Sequence, residues 1–162
     1  LMEFAEENPE SHITILRPAE IMGPGADNYL IRAFMSRLFF SSRVTNPNFQ
    51  FVHEDDVAKI IHQFIREPTS SGIFNVAGDG VVSYQRLARL FDKHPIKLPS
   101  PIAHTITKFI KRFGASQGNF PSGALDFIKH PTILDTQKLQ EYCGFRFFYT
   151  SEESLMTYVK SR

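Results

Sequence analysis

The chain has no tryptophan, a single cysteine, and no apolar run approaching the ~20 residues that a bilayer-spanning helix requires. One cysteine, Cys143, excludes an internal disulfide and fits a reducing, cytoplasmic setting. It falls where a helix is expected to end, and it reads as a structural thiol rather than a nucleophile. An excess of one charge sign is lacking too: the formal net charge is +1, which gives no general attraction to nucleic acid. Self-contained catalytic signatures are absent, with no GxxxxGK(S/T) loop, no HExxH, no paired CxxC and no GxSxG. The six histidines are scattered without ligand spacing, so no metal site is expected. Two glycine pairs, Gly23 with Gly25 and Gly78 with Gly80, each fall short of a dinucleotide-binding GxGxxG.

What is present is ordinary for a globular domain, 42% apolar and 22% charged, apart from sixteen phenylalanines. Aromatic clusters at Arg37–Phe40 and Phe145–Tyr149 suit either surfaces packed against a large neighbour or plain core. From Arg86 to Arg112 there are seven basic residues and one acid, Asp92. A basic amphipathic helix there could lie on an anionic membrane, but a helix packed on its own domain with a solvated outer face is the reading kept.

The opening Leu1–Ser11 is helical in character, with Phe4 and Ala5 opposed to Glu3, Glu6 and Glu7. Ile13–Leu16 has no in-out alternation and reads as a strand buried on both faces, as inside a parallel sheet. Such a strand needs neighbours on both sides, and no earlier strand precedes it. The chain therefore reads as the carboxyl-terminal portion of a longer protein. After a Gly-Pro-Gly turn, Tyr29–Phe40 has helical spacing, with Asp27 and Asn28 as candidate caps. Ser41–Asn48 is loop-like, and Phe49–His53 alternates as a half-buried strand. Glu54, Asp55 and Asp56 then open a helix whose apolar face is Val57, Ile60, Ile61, Phe64 and Ile65, stopped by Pro68.

Ile73–Ala77 reads as a second parallel strand, and Ser83 caps a helix from Tyr84. Lys93–Pro101 is a proline-broken connection, and Ile102–Phe113 is amphipathic. A short helix starts at Asp135 or Thr136 and ends at Gly144, and a capping box is expected between Thr150 and Glu153.

In order, ITILRPAEIMGPG, FQFVHEDDVAKII and GIFNVAGDGVVSYQRLARL resemble the last half of the NAD-dependent epimerase/dehydratase family, the extended short-chain dehydrogenases/reductases. That family has a strand ending in Arg-Pro with a Gly-Pro loop, an fVHvdDvA segment opening a helix, and a G-x-x-N-v-x-G strand before a Ser-capped helix. The likeness spans about residues 1–92. It implies an α/β fold: the carboxyl-terminal part of a Rossmann-like, doubly wound parallel sheet plus a mostly helical substrate-binding lobe. Residues 1–25 and 54–80 would belong to the sheet unit, and residues 26–53 and 81–162 to the lobe.

The resemblance also assigns roles. Pro18, Ala19, Glu20 and Ile21 would border the nicotinamide of NAD or NADP at the carboxyl end of a strand, where doubly wound folds bind ligands. Glu20, Asn28, Tyr29, Arg32, Phe51 and His53 would line the substrate pocket. For His53 and Asp56, hydrogen bonding within the fold and helix capping is the favoured role. The family's Tyr-x-x-x-Lys pair, in which Lys lowers the phenol's pKa for proton exchange, is missing, as is the glycine-rich loop, so no catalytic residue is assigned. Tight cofactor binding by this portion alone is not expected.

Nucleotide-sugar members commonly have Asn where Glu20 stands and Arg where Phe49 stands, each facing the diphosphate. Glu repels it and Phe cannot pair with it. A less charged carbonyl or alcohol substrate is therefore expected. The alternative is a non-catalytic binding or interaction module that keeps half of the fold and covers its open strand edge by homo-oligomerisation. The expected partners are a small-molecule substrate and the missing amino-terminal Rossmann portion, with no nucleic acid and no membrane.

Overall fold

The computed structural model describes residues 2–28, 31, 40–42, 46–67, 71–94, 96–98 and 133–162. Helix α1 (Met2–Glu7) leads to strand β1 (Thr14–Pro18), which pairs in parallel with β6 (Gly72–Val76) from Thr14 opposite Gly72 to Pro18 opposite Val76. The register continues past both ends, because the Gly72 amide donates to the Ile13 carbonyl at 3.0 Å and the Ala19 amide to the Val76 carbonyl at 2.8 Å. The parallel strand read from the apolar run is therefore in place. Among the described residues β6 is its one strand neighbour, and Ile15 and Leu16 are only half-buried.

At Ala19 the partner changes. Strand β2 (Glu20–Met22) pairs in parallel with β5 (Phe51–His53), setting Glu20 opposite Phe51 and Met22 opposite His53. Phe49–His53 is not one alternating strand: it divides at Gln50 into β4 (Asn48–Phe49), antiparallel to β7 (Val82–Ser83), and β5. All three β5 residues are buried. The reason is that β5 has a core on each face. Phe51 joins Met22, Phe49, Leu87, Leu155 and Tyr158, while Val52 joins Ile60, Phe64, Phe74, Val76, Leu139 and Phe145. Burying one such large apolar side chain contributes about 1.5–3 kcal/mol, so a strand serving two cores is held strongly in register.

Two further expectations are corrected by strand pairing. Phe40, assigned to a helix, with Ser41 and Ser42, assigned to a loop, forms β3 (Phe40–Ser42). It pairs in parallel with β8 (Ile96–Leu98), which falls inside the expected proline-broken connection. The rest of that expected helix, Tyr29–Phe39 with Ile31 apart, and the whole Ile102–Phe113 helix lie outside the described residues.

The helices follow their local signals. α2 (Glu54–Arg66) carries its three acids in the first turn, against the positive end of the helix dipole. α3 (Tyr84–Leu90) is capped by the Ser83 hydroxyl, which accepts from the Arg86 amide at 3.2 Å. α4 (Gln137–Cys143) ends at Gly144, whose φ of 63° is the left-handed geometry that glycine adopts freely. α5 (Ser151–Lys160) opens with a complete Thr150–Glu153 capping box. On α2 the buried residues are Asp56, Ile60 and Phe64, whereas Ile61 and Ile65 are 44% and 71% exposed. The apolar stripe is thus wider than the face that the described residues cover. No helix among the described residues is long and apolar enough to cross a membrane.

Candidate functional site

The β1–β6 and β2–β5 pairs run toward the same loops. β1 exits through Pro18 and Ala19, β2 through Met22 into Gly23-Pro24-Gly25, β5 through His53 into α2, and β6 through Ala77 into Gly78. The change of partner at Ala19 makes this the divergence point of the strands, the place where open α/β sheets accept ligands. Pro18 is exposed, and Ala19, Glu20 and Ile21 are half-buried.

Each sequence-assigned residue can be placed except Tyr29 and Arg32, which lie outside the described residues. Asn28 clamps the start of the next segment: its amide donates to the Ile21 carbonyl at 3.0 Å, and its carbonyl oxygen accepts from the Ile31 amide at 2.9 Å. Glu20 and Phe51 are register partners, and Phe51 is fully buried in the core. Pro18–Ile21, Asn28, Phe51 and His53 therefore share one neighbourhood, with Phe51 and His53 inside it.

His53 is the N-cap of α2. Its Nδ1 accepts from the Asp55 amide at 3.1 Å, and its ring stacks on Tyr149 with centroids 3.9 Å apart. Its Nε2 is buried and has no hydrogen-bond partner among the described residues. Asp56 is fully buried. Its carboxylate accepts from the Phe148 amide at 3.1 and 3.3 Å and from the Tyr149 amide at 3.2 Å. The two side chains thus fasten the carboxyl-terminal loop onto α2, the structural roles favoured from sequence.

Three contributors carried no such assignment. The Ser151 hydroxyl donates within reach of the carbonyls of Gly78 at 2.8 Å, Gly80 at 3.1 Å and Phe51 at 3.3 Å. Gly78 donates its amide to Phe51 at 2.9 Å and lies against the 149–151 backbone. Glu54 reaches back from α2, its Oε1 accepting from the Gly25 amide at 3.0 Å. The glycine pairs were visible as a pattern; their partners, up to 73 positions away, were not.

Titration adds little chemistry. Burial pushes the Cys143 thiol up, and it donates to the Leu139 carbonyl at 3.1 Å, a structural thiol. Burial also raises the Tyr84 phenol. Among the described residues no cluster of His, Cys, Asp and Glu could hold a metal ion.

No family model matches the chain. An uncharacterized protein of Mycobacterium tuberculosis (strain ATCC 25618 / H37Rv) is 21% identical over 159 residues, 98% of this chain and 42% of its own. UDP-glucose 4-epimerase from Thermotoga maritima, solved with UDP-glucose, superposes with a TM-score of 0.61 at 18% identity, covering 99% of this chain and 48% of the epimerase. The Bordetella bronchiseptica enzyme WbmG, solved with NAD and UDP, gives a TM-score of 0.54 at 15% identity, covering 93% of this chain and 43% of WbmG. The chain thus spans less than half the length of each, and it shares the Rossmann-like α/β fold of NAD-dependent epimerases and dehydratases.

Proposed function

We propose that this chain is the substrate-binding part of an NAD(P)-dependent oxidoreductase, epimerase or dehydratase acting on a carbonyl or alcohol compound. The observation that carries the reading is the convergence of Pro18–Ile21, the Gly23–Gly25 loop and the start of α2 at the carboxyl ends of parallel strands, within an epimerase-like fold. Pro18, Ala19, Glu20 and Ile21 form the nicotinamide edge, and Glu20, Asn28, Tyr29, Arg32, Phe51 and His53 belong to the substrate side. Phe51 and His53 act from beneath, holding β5 in place. The nicotinamide would supply hydride exchange. This chain's part is to bind and orient the substrate, while the Tyr-Lys proton exchange and the pyrophosphate loop belong to an amino-terminal Rossmann portion.

Phe49 supports an uncharged substrate. It is 1% exposed and packs against Tyr84 at 6.3 Å between ring centroids, so no phosphate-pairing group stands there. Glu20 adds a carboxylate where a diphosphate would be repelled. The test is nicotinamide absorbance during turnover by the chain joined to its Rossmann portion, with uncharged carbonyls and alcohols compared against nucleotide sugars. Turnover of the uncharged compounds is expected; exclusive turnover of nucleotide sugars would refute the substrate class.

Ile15 and Leu16 on β1 are half-buried, and β1 has one strand neighbour among the described residues, which favours a second reading, a non-catalytic module whose β1 edge is covered by a second copy. Light scattering on the purified chain and nicotinamide absorbance on the chain joined to its Rossmann portion together separate the two: a stable dimer of the chain, with no turnover once joined, supports the module.

A further inference from the structure

Glu54 does more than charge the first turn of α2. Its side chain lies across the Gly-Pro-Gly loop, with Oε1 on the Gly25 amide at 3.0 Å. A Cβ on Gly23 would meet the Glu54 Cδ at 2.5 Å, Cγ at 2.6 Å and Oε1 at 2.7 Å. Gly23 is buried and has φ +156°, so the loop's backbone comes against the glutamate at the point where a side chain is missing. A Cβ on Gly25 would also meet Oε2, at 3.1 Å. Further along the chain, the Asn28 side chain ties the Ile21 carbonyl to the Ile31 amide.

We infer that Glu54 is a positioning residue: it latches the Gly23–Gly25 loop to α2 and so sets the direction in which the chain leaves the sheet toward the substrate side. The latch stands on the geometry of this chain alone; its effect on substrate rests on the function proposed above. A carboxylate is suited to the task because it accepts from a backbone amide while its methylenes fill the space over Gly23. Gln keeps the shape and one acceptor oxygen, whereas Ala keeps neither.

The experiment compares Glu54→Gln, Glu54→Ala, Gly23→Ala and the Gly23→Ala/Glu54→Ala double variant of the full chain. Amide hydrogen exchange at Gly25 should quicken by about tenfold in Glu54→Ala, the effect of losing one charge-assisted hydrogen bond, and stay near the parent value in Glu54→Gln. Gly23→Ala should lower the unfolding midpoint less in the Glu54→Ala background than alone, because the atom it strikes has gone. Unchanged Gly25 exchange in Glu54→Ala, or equal Gly23→Ala effects in both backgrounds, would overturn the latch. Joined to the Rossmann portion, Glu54→Ala should raise KM with little change in kcat, and Glu54→Gln should restore it. A confirmed latch with no turnover of any compound would refute the proposed function and leave the latch standing.

Discussion

Gly78 has no room for a side chain. A Cβ there would stand 2.7 Å from the Tyr149 carbonyl oxygen and 3.0 Å from the Ser151 nitrogen, both backbone atoms that cannot rotate away. Gly78→Ala should therefore destabilise the fold by about 2 kcal/mol or more, read as a shift in the urea midpoint. Asp56 is the other residue on which the carboxyl-terminal loop depends, since it is the acceptor for the Phe148 and Tyr149 amides. Asp56→Ala should cost about 2–5 kcal/mol, and Asp56→Asn, which keeps one acceptor oxygen, distinctly less. Cys143, with its thiol pushed up by burial, should be alkylated at neutral pH more slowly than a free cysteine.

Among the elements, α5 has the most legible start. Thr150 and Glu153 satisfy one another's amides at 3.2 and 2.8 Å, and the Thr150 amide and hydroxyl, both donating to the Glu153 carboxylate, hold it below its usual range. A lowered folded pKa gives stability that is present above the unfolded value, about 4.3, and lost as pH falls through the folded one. The difference in melting temperature between the parent and Glu153→Gln should thus be largest near neutrality and vanish in acid, as a thermal series across pH would show. Ser83 and Gly144 were equally legible, because a cap acts within its own turn. β3, β8 and the division of Phe49–His53 were not, because two- and three-residue strands are defined by distant partners. The α2 stripe was read as one apolar face, yet Ile61 and Ile65 lie outside the part that is covered. Periodicity reports which residues share a face, not what packs on it.

At the scale of the molecule, the β2–β5 pair separates two cores, one closed by α3 and α5 and the other by α2 and α4. Leu155 and Leu139 are fully buried on opposite sides. Leu155→Ala and Leu139→Ala should each cost about 2–5 kcal/mol. Their effects should add to within about 0.5 kcal/mol in the double variant if the two cores pack independently, as equilibrium denaturation would measure.

The sequence by itself determined the α/β class, the parallel character of β1 and β6, and the helix starts at Glu54, Tyr84 and Ser151. All of these follow from patterns within a few residues: apolar runs, capping side chains and glycine geometry. Tertiary structure decided that β5 faces two cores, that Asp56 and Ser151 bind the carboxyl-terminal loop and that Glu54 lies over Gly23. Those contacts join residues 29 to 100 positions apart, and no local periodicity encodes which backbone a buried carboxylate or hydroxyl will meet.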